Sequence, residues 1–262
     1  MPDPSDSTEA RGRPSDRSSF CMAAILLAAG RGTRMNGVVG DKILALIEGK
    51  SCFRRSFETF AGSGLFDRIV VVYRDPAQRA LLSDEAKAGG IGSIDLRWTA
   101  GGARRQDSVF NGLAEAGQDT DYAFIHDCAR PLVRREDIRR LREVVLRDKA
   151  ATLGHPVADT IKRIDRRRTN LRKCRLKDID RRGLWATETP QCFAYELIFD
   201  ACQKARQGNA LHTDDVSVAS AAGIPVSLVE SSFPNPKITR PADLALAAFL
   251  LRSPGHPSQS SP

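Results

Sequence analysis

The chain predicts an α/β fold: a mostly parallel, twisted, Rossmann-like sheet flanked by helices, with a protruding β-arm. Three observations carry that expectation. Apolar, strand-like runs alternate with amphipathic stretches along most of the 262 residues, the connections are short, and segments rich in glycine and arginine fall where strands end. A βαβ rhythm of this kind needs helices on both faces of a parallel sheet, and its ligands sit beyond the carboxyl ends of the strands.

The elements follow in order. "AAILLA", "RIVVVY" and "YAFIHD" are short apolar runs suited to strands, as are "IDLRW", "AATLGHPV" and "PVSLVE". Between them, helical periodicity is read in "CFRRSFETFAG", "DPAQRALLSDEAKA", "RRQDSVFNGLAEAG", "REDIRRLREVVLRDKA", "FAYELIFDACQKARQ" and "PADLALAAFLLR". One interruption breaks the rhythm. From about residue 155 to 182, "VADTIKRID" and "CRLKDIDRRG" alternate weakly around the polar "RRRTNLRK", which predicts a protruding hairpin. The expected organisation is a disordered leader over 1–19, rich in Pro, Ser, Asp and Arg, one domain over 20–252 that includes the arm, and a disordered tail over 253–262.

Composition narrows the function classes. Hydrophobic residues make up 41 %, enough for a sizeable core, and no apolar run approaches the roughly eighteen residues of a membrane span. Six cysteines without a CxxC point to reduced thiols in a cytoplasm, and four scattered histidines offer no zinc spacing. The net charge of +8 is local: Lys162 to Arg182 holds eleven Lys or Arg against three Asp, which accounts for the whole excess. That segment reads either as a solvated arm or as a non-specific nucleic-acid patch, and it lacks the aromatic residues that stack bases. No specific nucleic acid and no membrane is expected as a partner.

The loop after the first strand is the main chemical signal. In "LLAAGRGTRMNGVVGDK", Met35 stands where a dinucleotide fold places its third glycine, and "GKS" at 49–51 lacks the preceding glycine of a Walker loop. What remains is a backbone loop able to present amide donors, with Arg31, Arg34 and Lys42 adding cations, a combination suited to a polyphosphate; the plain alternative is a tight turn with surface charges. "GGARRQDS", at 101–108, repeats the pattern after another strand. "IHDCARP" ends a further strand with Asp127 and then Arg130. Asp127 is either a helix cap or, beside a phosphate loop, a ligand for Mg2+, which proteins hold through one or two carboxylates plus substrate phosphates.

Taken in order, "LLAAGRGTRM…DK", "GGARRQDSV", "HDCARP", "DTIKR", "DRRGLWATETPQ", "TDD" and "PKITRPADLALA" resemble the 2-C-methyl-D-erythritol 4-phosphate cytidylyltransferases of the non-mevalonate isoprenoid pathway, over roughly Ala23 to Arg252. The resemblance implies a nucleotidyltransferase fold, transfer of CMP from CTP to methylerythritol phosphate with release of pyrophosphate, dependence on Mg2+, and a homodimer that exchanges its arms. It further implies that Arg34 and Lys42 stabilise charge at the α-phosphate, that Gly30 and Gly32 shape the loop, and that Ala28 and Ala29 begin the nucleotide pocket. Gly102 and Ser108 match positions that recognise cytosine. Asp127 matches the metal and acceptor position, with Arg130 beside it. Thr160 and Arg181 match arm residues that reach the partner's site, while Thr189, Thr213 and Lys237 match contacts to the acceptor, Lys237 also lying near the reacting phosphates. A ribitol 5-phosphate cytidylyltransferase and a non-catalytic RNA-binding protein are the alternative expectations.

Overall fold

A computed structural model describes residues 20–30, 41–164 and 172–253. In chain order the elements are β1 (Met22–Leu27), β2 (Leu46–Ile47), β3 (Lys50–Ser51), α1 (Cys52–Ala61), β4 (Arg68–Tyr73), α2 (Pro76–Gly89), β5 (Asp95–Ala100), α3 (Arg105–Ala116), β6 (Tyr122–Asp127) and α4 (Arg135–Asp148). There follow β7 (Ala150–Pro156), β8 (Lys162–Arg163), β9 (Lys177–Asp178), β10 (Trp185–Ala194), α5 (Tyr195–Gln207), α6 (Asp215–Ala221), β11 (Ser227–Glu230) and α7 (Pro241–Arg252).

Seven strands form one sheet in the order β11-β7-β10-β6-β1-β4-β5. β1 pairs in parallel with β4 and β6, β4 with β5, and β11 with β7, while β10 runs antiparallel to both its neighbours. The mostly parallel sheet expected from the sequence is therefore present, with one reversed strand inside it. Period-two alternation divides the apolar runs between two cores. Ala24, Leu26, Ile69, Val71 and Phe124 face the layer that contains Phe53, Phe57 and Phe60 of α1 and Leu141 of α4. Ala23, Ile25, Val70, Val72 and Ile125 face Val109 and Leu113 of α3 and Ile198 of α5. Burial of each large side chain contributes roughly 1.5–3 kcal/mol.

One close approach positions the site. A Cβ on Gly112 would lie 2.4 Å from Cγ2 of Ile25, so glycine lets α3 sit directly on β1. The amino end of α3, beginning at Arg105, is thereby brought to the rim where β1 and β6 end.

Two expectations need correction. The stretch 185–194 is the ten-residue strand β10, and the helix read from Phe193 begins only at Tyr195. Polar "TETPQ" with its internal proline argues against a strand, yet the register with β7 shifts between Thr187 and Gln191, so Pro190 falls where the ladder is interrupted. The short helix α6 has no counterpart among the expected helices; Asp214 caps it by accepting from the Ser217 amide at 2.9 Å. The arm is present as a short antiparallel pair, Lys162 opposite Asp178 and Arg163 opposite Lys177, with all four residues exposed.

Candidate active site

A cavity of about 830 Å³ opens at the carboxyl ends of β1, β4, β5 and β6. Ala29 and Gly30 after β1, Lys42, Arg74 after β4, and the 101–105 loop with Ser108 form its walls, closed by Asp127, Ala129 and Lys237. The loop after β5 is held before any ligand arrives. Gly101 N–H donates to the Tyr73 carbonyl at 2.7 Å, Gly102 N–H donates to Ser108 Oγ at 3.0 Å, and the Ser108 hydroxyl donates to the Arg104 carbonyl at 3.3 Å. Glycine is required at 101: a Cβ there would lie 2.6 Å from the Ala29 Cβ and 3.0 Å from Ser108 Oγ.

A smaller cavity of about 240 Å³ adjoins it, lined by Arg130, Thr187, Glu188, Thr189, Gln191, Thr213 and Asp214. Arg105, Asp127 and Lys237 line both cavities. Their geometry is tightly interlocked. Asp127 Oδ2 accepts from Lys237 Nζ at 2.5 Å and Oδ1 from Arg105 Nε at 3.1 Å. The far side of the Arg105 guanidinium donates twice to Asp215, at 3.0 and 2.8 Å. Burial by itself would raise the Asp127 pKa, but Arg105 and Lys237 outweigh it and hold the carboxyl well below the usual carboxylate range. The junction therefore stays charged at neutral pH.

The surrounding elements fix these groups. Thr189 Oγ1 accepts the Asp127 amide at 3.1 Å and lies 3.1 Å from Nδ1 of His126, whose pKa burial pulls down to about 3, so the ring is neutral. Gln191 Oε1 accepts the amides of Asp215 and Val216 at 2.9 and 3.0 Å, tying β10 to the start of α6. Lys237 is placed by its neighbours: Arg130 donates to the Asn235 carbonyl at 2.9 Å, and the Ile238 amide donates to the Ala129 carbonyl at 2.7 Å.

Most of the residues read from the sequence converge here. Ala29, Gly30, Lys42, Gly102, Ser108, Asp127 and Lys237 line the larger cavity, and Arg130, Thr189 and Thr213 the smaller. Ala28 is fully buried and lines neither cavity, its carbonyl accepting from Gln78 Nε2 at 3.1 Å. Thr160 and Arg181 are exposed on the arm and line neither cavity, the Arg181 guanidinium donating to the Ala158 carbonyl. Gly32 and Arg34 lie outside the described residues. Arg74, Arg105 and Glu188 are site residues that sequence reasoning misses. Arg105 stands within the quoted "GGARRQDS", but nothing in that string separates it from Arg104, which lines only the larger cavity and pairs with Asp107 at 3.0 Å.

Among the described residues no group of three His, Cys, Asp or Glu is arranged to hold a metal ion. Both Asp127 oxygens already accept from cations. This donor set suits an ion that brings most of its ligands as phosphate and water, with Asp127 as the carboxylate that lines both cavities. Among the described residues no helix is long and apolar enough to cross a membrane.

Comparison with known proteins accords with this geometry. Residues 22–253 match the family model for 2-C-methyl-D-erythritol 4-phosphate cytidylyltransferase. The enzyme of that name from Caldanaerobacter subterraneus subsp. tengcongensis is 37 % identical over 231 residues, covering 88 % of this chain and 99 % of the relative. The crystal structure of 2-C-methyl-D-erythritol 4-phosphate cytidylyltransferase from Thermus thermophilus superposes with a TM-score of 0.68 at 27 % identity, covering 88 % of this chain and 98 % of that one. A 4-diphosphocytidyl-2C-methyl-D-erythritol synthase from Anaerococcus prevotii shares the fold with a TM-score of 0.75 at 22 % identity, covering 89 % of this chain and 97 % of that one.

Proposed function

The chain belongs to the 2-C-methyl-D-erythritol 4-phosphate cytidylyltransferase family, nucleotidyltransferases that move CMP from CTP to 2-C-methyl-D-erythritol 4-phosphate in isoprenoid biosynthesis, and from that premise we propose that its two cavities are the two halves of one transfer site. CTP occupies the larger cavity and the acceptor the smaller, so that their phosphates meet at Arg105, Asp127 and Lys237. The observation that carries this reading is that these three side chains line both cavities.

In the transfer, an oxygen of the acceptor phosphate attacks the α-phosphorus of CTP. A new P–O–P linkage forms, the bond from the α-phosphorus to the α,β-bridging oxygen breaks, and pyrophosphate leaves with that electron pair. The nucleophile is already an anion, so no general base has to remove a proton. Bringing two negative charges to about 5 Å at an effective dielectric of about 20 costs roughly 3 kcal/mol, which is about two orders of magnitude in rate. Placed cations therefore matter more than acid–base groups. Lys237 supplies one at the junction and Lys42 a second from the nucleotide side, while Asp127, pinned by Arg105, keeps the Lys237 ammonium in position.

The preformed loop with Gly102 and Ser108 receives the cytosine ring, Ala29 and Gly30 leave room for the nucleotide, and Arg130 and Thr213 face the acceptor. Asp127 is the residue that would hold a Mg2+ ion, which would supply neutralisation of phosphate charge. The β8–β9 pair is exposed at each of its four described strand residues, and a lone two-stranded hairpin is marginally stable in water. We propose that a second copy of the chain covers it, carrying Thr160 and Arg181 to the partner's acceptor cavity.

The direct test is pyrophosphate release with CTP or UTP, each combined with methylerythritol phosphate or ribitol 5-phosphate. Release with CTP and methylerythritol phosphate alone is the expected result. Equal release with ribitol 5-phosphate would reassign the acceptor, and none with any pair would end the enzymatic reading.

A further inference from the structure

Glu188 is the least expected member of the acceptor cavity. It lies on β10 at the register shift, and its residue is only 2 % exposed, although it bears a carboxylate. Burying such a group is unfavourable unless each oxygen has a partner. Both do: Ser231 Oγ donates to Oε2 at 3.1 Å, and Oε1 lies 3.0 Å from Nδ1 of the exposed His155. The backbone is also fixed, since the Glu188 carbonyl accepts from Gln191 Nε2 at 3.2 Å and from Thr152 Oγ1 at 3.4 Å. Residues from β7, β10 and the segment after β11 thus converge to hold one carboxylate at a set angle. Fixation of this kind distinguishes a recognition group from a surface charge.

Two further facts give it a chemical role. A carboxylate offers about four lone-pair positions, and Ser231 and His155 use two. Glu188 also lines the same cavity as Lys237 and Asp127. An acceptor whose phosphate lay beside Lys237 and Asp127 would run its carbon chain along this cavity, where the remaining lone pairs of Glu188 could meet its other end.

We infer that Glu188 is a specificity-determining residue that accepts a hydrogen bond from a hydroxyl at the non-phosphorylated end of the acceptor and rejects acceptors carrying an anion there. The inference rests on the assignment of the smaller cavity to the acceptor. It restricts the substrate class to polyol monophosphates, excluding bisphosphates and phosphorylated sugar acids, because a hydroxyl donates to the carboxylate while a second anion is repelled by it and leaves its own oxygens unpaired.

The test uses a matched pair that differs only at that terminus: erythritol 4-phosphate and erythronate 4-phosphate. Their dissociation constants are measured by calorimetry on the full chain saturated with an α,β-methylene analogue of CTP, which cannot release pyrophosphate. The wild type is expected to prefer the polyol by at least roughly tenfold. In Glu188→Gln that preference falls about tenfold, mostly through tighter binding of erythronate 4-phosphate, with affinity for the nucleotide analogue unchanged. Ser231→Ala keeps the charge but loosens its orientation, so it weakens polyol binding several-fold while the preference persists. An unchanged preference in Glu188→Gln overturns the inference, as does a wild type that binds neither ligand or binds both equally. Because binding is read without turnover, these outcomes are separate from a failure of wild-type protein to release pyrophosphate from CTP and methylerythritol phosphate, which would count against the proposed reaction.

Discussion

Lys237 Nζ lies 2.5 Å from Oδ2 of Asp127, joining the segment that follows the last strand to the end of a central one. The contact is made where the two cavities meet, so it orders a cation at the place where two phosphates would repel.

Replacing Lys237 by alanine should lower kcat by about 10²–10³-fold, the loss typical of one placed charge-stabilising donor. The CTP KM should change far less. Steady-state pyrophosphate release, with thermal unfolding to confirm the fold, checks this; wild-type turnover would remove Lys237 from the chemistry.

Arg105 is a positioning residue with a stability role. Its guanidinium bridges Asp127 and Asp215, both buried, and Arg105→Met leaves Asp215 without this cation and Asp127 with Lys237 alone. The expected loss is about 3 kcal/mol, the lower end for breaking a buried pair because the arginine is itself partly exposed. Urea unfolding reads this as a fall in midpoint with little change in slope.

The sign of the acid response follows from Asp127. Its folded pKa is depressed by Arg105 and Lys237, so its ionised form stabilises the fold above the unfolded value of about 4 and that contribution is lost as pH falls through the folded value. The stability gap between wild type and Asp127→Asn should therefore narrow below about pH 4. Denaturant midpoints across that range measure it, and a constant gap would contradict the assigned charge state.

Gly101→Ala drives a methyl group to within 2.6 Å of the Ala29 Cβ and 3.0 Å of Ser108 Oγ. Both loops of the nucleotide cavity must then shift. The CTP KM should rise by roughly tenfold or more while the acceptor KM stays near wild type. Equal changes in both would argue that the larger cavity is not the nucleotide's.

If arms are exchanged, Arg181→Ala and Lys42→Ala chains should complement each other. Each is inactive alone, but an equal mixture that has exchanged subunits contains dimers with one intact site and should recover about a quarter of wild-type turnover. No recovery, with subunit exchange verified by sedimentation of tagged chains, would place Arg181 outside the partner's site.

The legible part of the fold was the part with one physical cause. β1, β4 and β6 are buried on both faces, so residues 22–27, 69–72 and 122–125 are unbroken apolar runs. β10 defeats that rule because Thr189, Gln191 and Glu188 are buried for their hydrogen bonds rather than for their hydrophobicity. The site divides in the same way. Lys42, Asp127 and Lys237 stood in recognisable motifs, whereas Arg105 and Glu188 draw their roles from partners more than twenty residues away in the chain. No local spacing encodes such pairings.

Arg105, Asp127 and Lys237 form a boundary common to the two cavities. A molecule that links cytidine to a short polyol through a diphosphate would straddle it and occupy both compartments at once. Such a bisubstrate compound would tether each half at high effective concentration for the other, and the same geometry makes the reaction product its own natural competitor until it departs.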